Sequence, residues 1–339
     1  MSAPEFWRER AHPLARLLSP LGAVYGALAS ARLKRPASRA DLPTIAIGGL
    51  TAGGDGKTPL TLALAAILRG ETGERPAILT RGYGRLRAGA AEPFYVGPAR
   101  HTARDAGDEA LLLARVAPTI VGVDRAAGAS LARELGATVL LLDDGLHSRR
   151  LAPDLALLAV DAGYGAGNGL CLPAGPLRAP LDAQIGAADA LVLIGEGEAG
   201  DSLAALSAAR GKPVLRALLA PDADDATRLK GRRVFAFAGI ARPEKFEKSL
   251  AEAGARIVGA RRFGDHHRFS HSELDALAAK AKALDAALVT TEKDAARIGG
   301  WRPPDETSLE VLSVTLVFDR PEEVGALLAH GLARGRLTR

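Results

Sequence analysis

One stretch, TIAIGGLTAGGDGKTPL at 44–60, limits what this chain can fold into more than any other. An apolar run, a glycine-rich turn and Gly56-Lys57-Thr58 opening an amphipathic stretch predict strand, loop and helix in that order. Glycines let backbone N–H groups curl around phosphate oxygens, and the helix N-terminus adds positive potential. Lys57 is spaced to reach the β- and γ-phosphates, and the Thr58 hydroxyl to help hold Mg²⁺. The usual pattern has a further Gly where Thr51 stands, so the match is to a compact form of the loop. The expected nucleotide-binding residues are Thr51, Gly53, Gly54, Asp55, Gly56, Lys57 and Thr58. By contrast, GYGAGNG at 163–169 does not fit a dinucleotide fingerprint.

Around this loop, apolar runs alternate with amphipathic stretches. Strands are predicted at 44–48, 76–80, 119–123, 138–142, 156–160, 190–194 and 213–218, with helices at 58–70, 107–116 and 125–135. Near-continuous apolar strands between helices imply a parallel sheet covered on both faces. A polar stretch at 221–231 precedes a second series: strand 233–238, helix 243–253, strand 256–260, helix 271–284 and strand 286–290. The 339 residues exceed what one core usually holds. The expectation is an α/β chain: an N-terminal segment 1–39, a P-loop core 40–220 with a parallel sheet, and a smaller α/β domain 221–339.

Charge is unevenly placed. Residues 1–39 carry seven basic and two acidic residues, the whole net charge of +5, while the remaining 300 balance at 37 of each. The basic excess is therefore an N-terminal property and not a nucleic-acid-binding face, and aromatics at 4% supply few stacking platforms. Within that segment, 17–31 has no charge, and Leu17, Leu18, Leu21, Val24, Tyr25 and Leu28 recur at helical spacing. Fifteen uncharged residues fall short of the ~20 that span a bilayer. Two readings are open: an amphipathic helix on the protein's own core, or an interfacial helix held by apolar burial and anionic lipid, with Trp7 and Tyr25 at the headgroups. The single cysteine, Cys171, excludes an intrachain disulfide.

A P-loop enzyme needs a second Mg²⁺ anchor at the end of a neighbouring strand. TVLLLDD at 138–144 ends in Asp143 and Asp144, which serve that role or cap the next turn. Asp108 and Glu109 precede an apolar stretch; for Asp108, helix capping and catalysis are both open. Asp265-His266 is a possible acid–base or substrate-orienting pair.

Together these pieces resemble the tetraacyldisaccharide 4′-kinase family of lipid A biosynthesis. The matching stretches are GGLTAGGDGKTP (48–59), TRGYG (80–84), AGDEALLLA (106–114), DDGLHSRRLAPDLALLAVD (143–161), GNGLCLPAGPLR (167–178), FAGIARPEKF (237–246), GDHHRFS (264–270) and TTEKDAAR (290–297). The pairing of a GNG…LPAGPLR block with the P-loop is the specific feature. The resemblance implies transfer of phosphate from ATP, with Mg²⁺, to the 4′-hydroxyl of a tetraacylated glucosamine disaccharide 1-phosphate. It places the enzyme on the cytoplasmic face of the bacterial inner membrane, peripheral or monotopic through residues 1–39, with no obligate protein partner and no nucleic acid.

Carried over by position, the resemblance makes Asp108 the acceptor-activating carboxylate and His266 its partner. Asp143 and Asp144 fall in the Mg²⁺ region with Thr58. Arg81 and Tyr83 line the site, and Asn168 and Arg178 contact phosphate or sugar. Glu292, Lys293 and Asp294 match a signature without an assigned chemistry. The family usually follows its DDG with a hydrophobic residue, Gln and His; this chain has Leu146, His147 and Ser148. The rival function is a membrane-associated P-loop ATPase switch of the partitioning or targeting type, with no sugar acceptor.

Overall fold

Residues 4–85, 92–304 and 307–339 are described in a computed structural model. Their strands, in chain order, are β1 (Thr44–Gly49), β2 (Pro76–Thr80), β3 (Phe94–Tyr95), β4 (Thr119–Val121), β5 (Val139–Leu142), β6 (Leu155–Asp161) and β7 (Ala190–Ile194). There follow β8 (Val214–Pro221), β9 (Arg233–Ala238), β10 (Arg256–Arg262), β11 (Ala287–Thr291), β12 (Leu309–Leu312) and β13 (Val314–Phe318). They form a nine-stranded sheet in the order β13-β8-β7-β6-β1-β5-β2-β4-β3 and a four-stranded sheet in the order β10-β9-β11-β12. The pairs β13–β8 and β3–β4, at the two edges of the large sheet, are antiparallel; its other pairs and all of the small sheet are parallel.

Every residue of β1, β2, β5, β6 and β7 is buried, which is why these strands read as unbroken apolar runs. Alternation then sorts the side chains by face. Ile45, Ile47, Ile78, Leu141 and Leu157 pack on Leu60, Leu64 and Leu68 of helix Lys57–Glu71 and on Val324 and Leu328 of helix Pro321–Leu337. On the opposite face, Leu79, Leu140 and Leu142 meet Ala129 and Ala132, while Leu158, Leu191 and Leu193 meet Ile185 and Leu203. Truncating a fully buried core leucine such as Leu64 to Ala costs about 2–5 kcal/mol. That packing fixes where the C-terminal ends of the strands sit, and with them the loops that follow.

The sequence boundary at 221 does not mark one continuous unit after it. β13 and helix Pro321–Leu337 return to the large sheet, β13 pairing antiparallel with β8 and helix Pro321–Leu337 packing on its core face. Only β9 to β12 and their helices build the small sheet. The returning strand covers an edge that would otherwise expose unpaired backbone groups.

Residues 13–33 form a helix, Pro13–Leu33, capped by the His12 ring, which accepts from the Leu14 N–H. Its buried positions are Ala15, Gly22, Gly26 and Leu33. A side chain at Gly22 would strike the Cys171 carbonyl, and one at Gly26 the Cys171 sulfur. The helix therefore docks through its small residues and leaves Leu14, Leu17, Leu21, Val24 and Leu28 exposed, Leu17 by 73%. Apart from Leu33 at its end, the helix does not spend its large apolar side chains on the core. Trp7 does not stay free either: its indole N–H donates to the Pro173 carbonyl.

Candidate active site

The carboxyl ends of β1, β2 and β5 open on a cleft of about 620 Å³ that the small sheet's loops close from the other side. Open parallel sheets bind ligands at this edge. The loop after β1 supplies Gly53, Gly54, Gly56, Lys57 and Thr58 to the cleft wall. Gly54 and Gly56 have φ of +75° and +79°, a left-handed backbone that turns successive N–H groups inward. A Cβ at Gly56 would collide with Ile194, so the curl has no room for a side chain. These residues fit a phosphate cradle.

Thr51 and Asp55, expected among the nucleotide contacts, do something else. The Thr51 N–H and hydroxyl both donate to the Asp55 carboxylate, at 2.8 and 2.6 Å, and both residues are buried beneath the loop. They brace the turn from inside.

Asp143 ends β5, buried, and accepts from the Thr80 hydroxyl at 3.0 Å. Burial, with the charges of Glu109 and Asp144 beside it, pushes its carboxyl up to about 6. Asp143 and the Thr58 hydroxyl line the same cleft, and oxygen donors of this kind suit Mg²⁺. Asp144 is different: its backbone is left-handed at φ +54°, and Arg178 donates to both of its oxygens, at 3.0 and 2.9 Å. Burial opposes its ionisation, but Arg178 and Lys57 hold its carboxyl well below the usual range. Arg178 also donates to the Thr51 carbonyl at 2.7 Å and so ties the DDG turn to the phosphate loop.

Gly107, not Asp108, is the N-cap of helix Asp108–Leu113, so Asp108 is freed from the capping role. Its carboxylate, only 3% exposed, meets His266 Nδ1 at 3.2 Å and the Arg297 Nε at 2.6 Å. Burial would raise its pKa; the His266 hydrogen bond and the Arg297 charge outweigh it and hold the group well below the ordinary carboxylate range. His266 sits in a left-handed turn at φ +56° and stacks edge-on against Tyr83, ring centroids 4.9 Å apart. Next door, Glu109 accepts from Lys293 at 2.7 Å and from the Thr58 hydroxyl at 3.3 Å. One short helix thus links the phosphate loop to helix Glu292–Ile298 of the small-sheet half.

Arg81 and Tyr83 line the cleft, as does Arg178. Asn168 does not. Its amide N–H groups donate to the Phe6 and Ala174 carbonyls and its oxygen accepts from the Leu170 N–H, which spends the side chain on shaping its own loop. Several residues in the cleft wall or behind it carried no sequence assignment, Arg297 being one of those behind it. Lys293 and Arg297 come from TTEKDAAR; Arg242 and Lys245 come from FAGIARPEKF and both pair with buried Asp161 at the end of β6. Arg242 also stacks on Tyr164 at 4.2 Å and lies against Gly54. Their motifs were visible, but nothing in the spacing says that a second sheet returns them to the first.

His147, beside the DDG turn, shares a 2.7 Å hydrogen bond with the buried Gln184 side chain. Burial and the nearby Arg178 charge push its imidazole down to about 4. A histidine kept neutral in the fold contributes stability above its unfolded value near 6.5 that is lost as pH falls toward 4. His147→Gln is therefore expected to remove a loss on the order of 2–3 kcal/mol across that window. Melting temperatures of the two proteins should converge at pH 8 and separate at pH 5, the variant being higher; parallel curves would reject the assignment.

The family model described as tetraacyldisaccharide-1-P 4′-kinase matches residues 14–333. A tetraacyldisaccharide 4′-kinase of Methylobacterium radiotolerans is 53% identical over 323 residues, covering 95% of this chain and 96% of the relative. One from Rhodopseudomonas palustris strain BisB5 is 46% identical over 337 residues, covering 99% and 98%. Among solved structures, LpxK from Aquifex aeolicus, crystallised in complex with ATP, superposes with a TM-score of 0.69 at 26% identity. That match covers 94% of this chain and 99% of the other.

Proposed function

The chain belongs to the tetraacyldisaccharide-1-P 4′-kinase family, and from that premise we propose how its own residues carry out the transfer. The enzyme is a phosphotransferase of lipid A biosynthesis acting on an alcohol group, with ATP and Mg²⁺. A P-loop ATPase switch without a sugar acceptor is not supported, because relatives matching nearly the whole length are 4′-kinases. The observation that carries the mechanism is the meeting of Asp108, buried in the large-sheet half, with the cleft-lining His266 of the small-sheet half, at 3.2 Å.

Bound ATP supplies the phosphoryl group. The Gly53–Gly56 backbone and Lys57 would hold its phosphates, and Thr58 and Asp143 would hold Mg²⁺, which favours one or two carboxylates together with substrate phosphates. Asp144, already matched by Arg178, positions that turn and is the lesser metal donor. Asp108 accepts the proton of the acceptor hydroxyl, and His266 orients the carboxylate. Phosphoryl transfer needs little covalent help from the protein, so a weakly basic but well-placed carboxylate suffices late in the transfer. Arg81 and Tyr83 lie where the sugar would approach. An acceptor whose 4′-hydroxyl is replaced by hydrogen is expected to support no transfer while still inhibiting competitively; turnover on it would overturn the regiochemistry.

The lipid reaches this cleft along the N-terminal helix. Tyr25, Ala29, Arg32 and Leu33 form part of the cleft wall, and the same helix turns Leu14, Leu17, Leu21, Val24 and Leu28 outward. Its 21 residues have a mean hydropathy of 1.2 over the most apolar window. Such a stripe, with Arg8 and Arg10 before it, Arg16 in its first turn and Arg32, Lys34 and Arg35 after it, suits burial at the surface of an anionic bilayer. We place the helix on the cytoplasmic face of the inner membrane. Exchanging Leu17, Leu21 and Leu28 for Asp leaves the docked face intact. It is expected to release the protein from anionic vesicles without lowering its melting temperature; undiminished co-sedimentation would show the stripe has another use.

A further inference from the structure

We infer that Arg297 is a positioning residue for phosphoryl transfer, holding the Asp108 carboxylate and His266 in register across the cleft; this rests on Asp108 being the acceptor-activating base. The TTEKDAAR segment forms the end of β11 and helix Glu292–Ile298, whose last turn carries this nearly buried guanidinium.

Arg297 is anchored on one side and functional on the other. Its NH1 donates to the Gly239 carbonyl at 2.6 Å and to Asp294 at 2.7 Å. Asp294 is fully buried and is itself fixed by the Gly239 N–H at 2.9 Å and the Thr291 hydroxyl at 2.8 Å. Gly239, Thr291 and Asp294 all belong to the small-sheet half, at the ends of β9 and β11. The other edge of the guanidinium crosses to the large-sheet half: Nε donates to Asp108 Oδ2 at 2.6 Å, and NH2 lies against the same oxygen and 3.3 Å from His266 Nδ1.

This division explains which carboxylate oxygen does the chemistry. Oδ2 is occupied by Arg297 and His266 together. Among the described residues Oδ1 accepts the Glu109 N–H alone, at 3.0 Å, which leaves it a lone pair for the acceptor hydroxyl. A planar fork fixes orientation as well as charge, which a lysine ammonium does not. Asp108 and Arg297 are 189 positions apart in sequence, so their contact also sets how the two halves meet over the substrate.

The test is a cycle of full-length variants: Arg297→Met, Arg297→Lys, Asp108→Asn and the Arg297→Met/Asp108→Asn double. Misplacing a catalytic group by about 1 Å costs about 10²-fold, and Arg297→Met should lower kcat by about that factor with KM for ATP unchanged. Arg297→Lys should recover part of the loss. The double variant should be no slower than Asp108→Asn alone, because Arg297 acts through Asp108. An Arg297→Met effect that persists undiminished in the Asp108→Asn background would overturn the inference and make the arginine a structural tie. Removing one member of a buried ion pair can unfold a protein; if Arg297→Met fails to fold, Arg297→Lys carries the same cycle. The two readings fail differently. Wild-type turnover by Asp108→Asn sinks the base assignment, whereas a slow Asp108→Asn beside fully active Arg297 variants sinks only the positioning role.

Discussion

Asp108→Asn is expected to lower kcat by about 10²–10⁴-fold, the range for removal of a general base, while KM for ATP stays near the wild-type value. The amide keeps the size of the carboxylate but offers one accepting oxygen, so it can keep either the Arg297 contact or the Glu109 N–H and turns its NH2 on the other, a cost the melting curve registers. What it loses is the ability to take a proton. Because Gly107 holds the N-cap position, the change removes no helix cap, which by itself would cost ~1 kcal/mol of stability and leave the rate alone. Stopped-time assays over a range of ATP concentrations, with a melting curve for each protein, separate these outcomes. A destabilised but fully active variant would remove Asp108 from the reaction.

Lys57→Ala should be comparably severe, about 10²–10³-fold in kcat, the scale of losing one preorganised charge at a developing anion. Lys57 opens helix Lys57–Glu71 and faces the charges of Glu109, Asp143 and Asp144. Its removal deprives the phosphates of a cation and leaves three acids less well balanced. The fold should survive, since the helix buries Leu60, Leu64 and Leu68 on the sheet. Near-normal turnover in this variant would contradict the phosphate-loop assignment.

The two predictions draw on parts of the site that were legible to different degrees. The phosphate loop could be read directly because its parts are contiguous and its glycines are dictated by backbone geometry. Asp143 was readable for a similar reason: an apolar run ending in paired acids is unusual at a buried strand end. Asp108 and His266 were paired only through the family resemblance; residues that far apart meet through the packing of two sheets, which no local spacing encodes. Arg297 escaped assignment for the same reason. Asn168 shows the reverse error. Its GNG block is distinctive in sequence, yet the side chain is consumed by its own loop. Thr51 and Asp55 likewise turn to each other inside the loop, because a tight turn needs internal braces as much as contacts. At the level of the fold, the parallel strands were plain from their apolar runs. The return of β13 was not: a half-buried edge strand carries a weak alternating pattern, and its partner β8 lies almost a hundred positions earlier.

On the proposed mechanism the cleft directs the γ-phosphoryl group of ATP to a lipid alcohol and away from water. Single-turnover partition of labelled γ-phosphate measures this directly, with enzyme in excess over ATP and tetraacyl disaccharide 1-phosphate supplied in mixed micelles. The account predicts label appearing in the 4′-position of the lipid, with little inorganic phosphate and almost no ATP consumed when acceptor is omitted. Release of inorganic phosphate at the same rate with and without the lipid, and an unlabelled disaccharide, would contradict it.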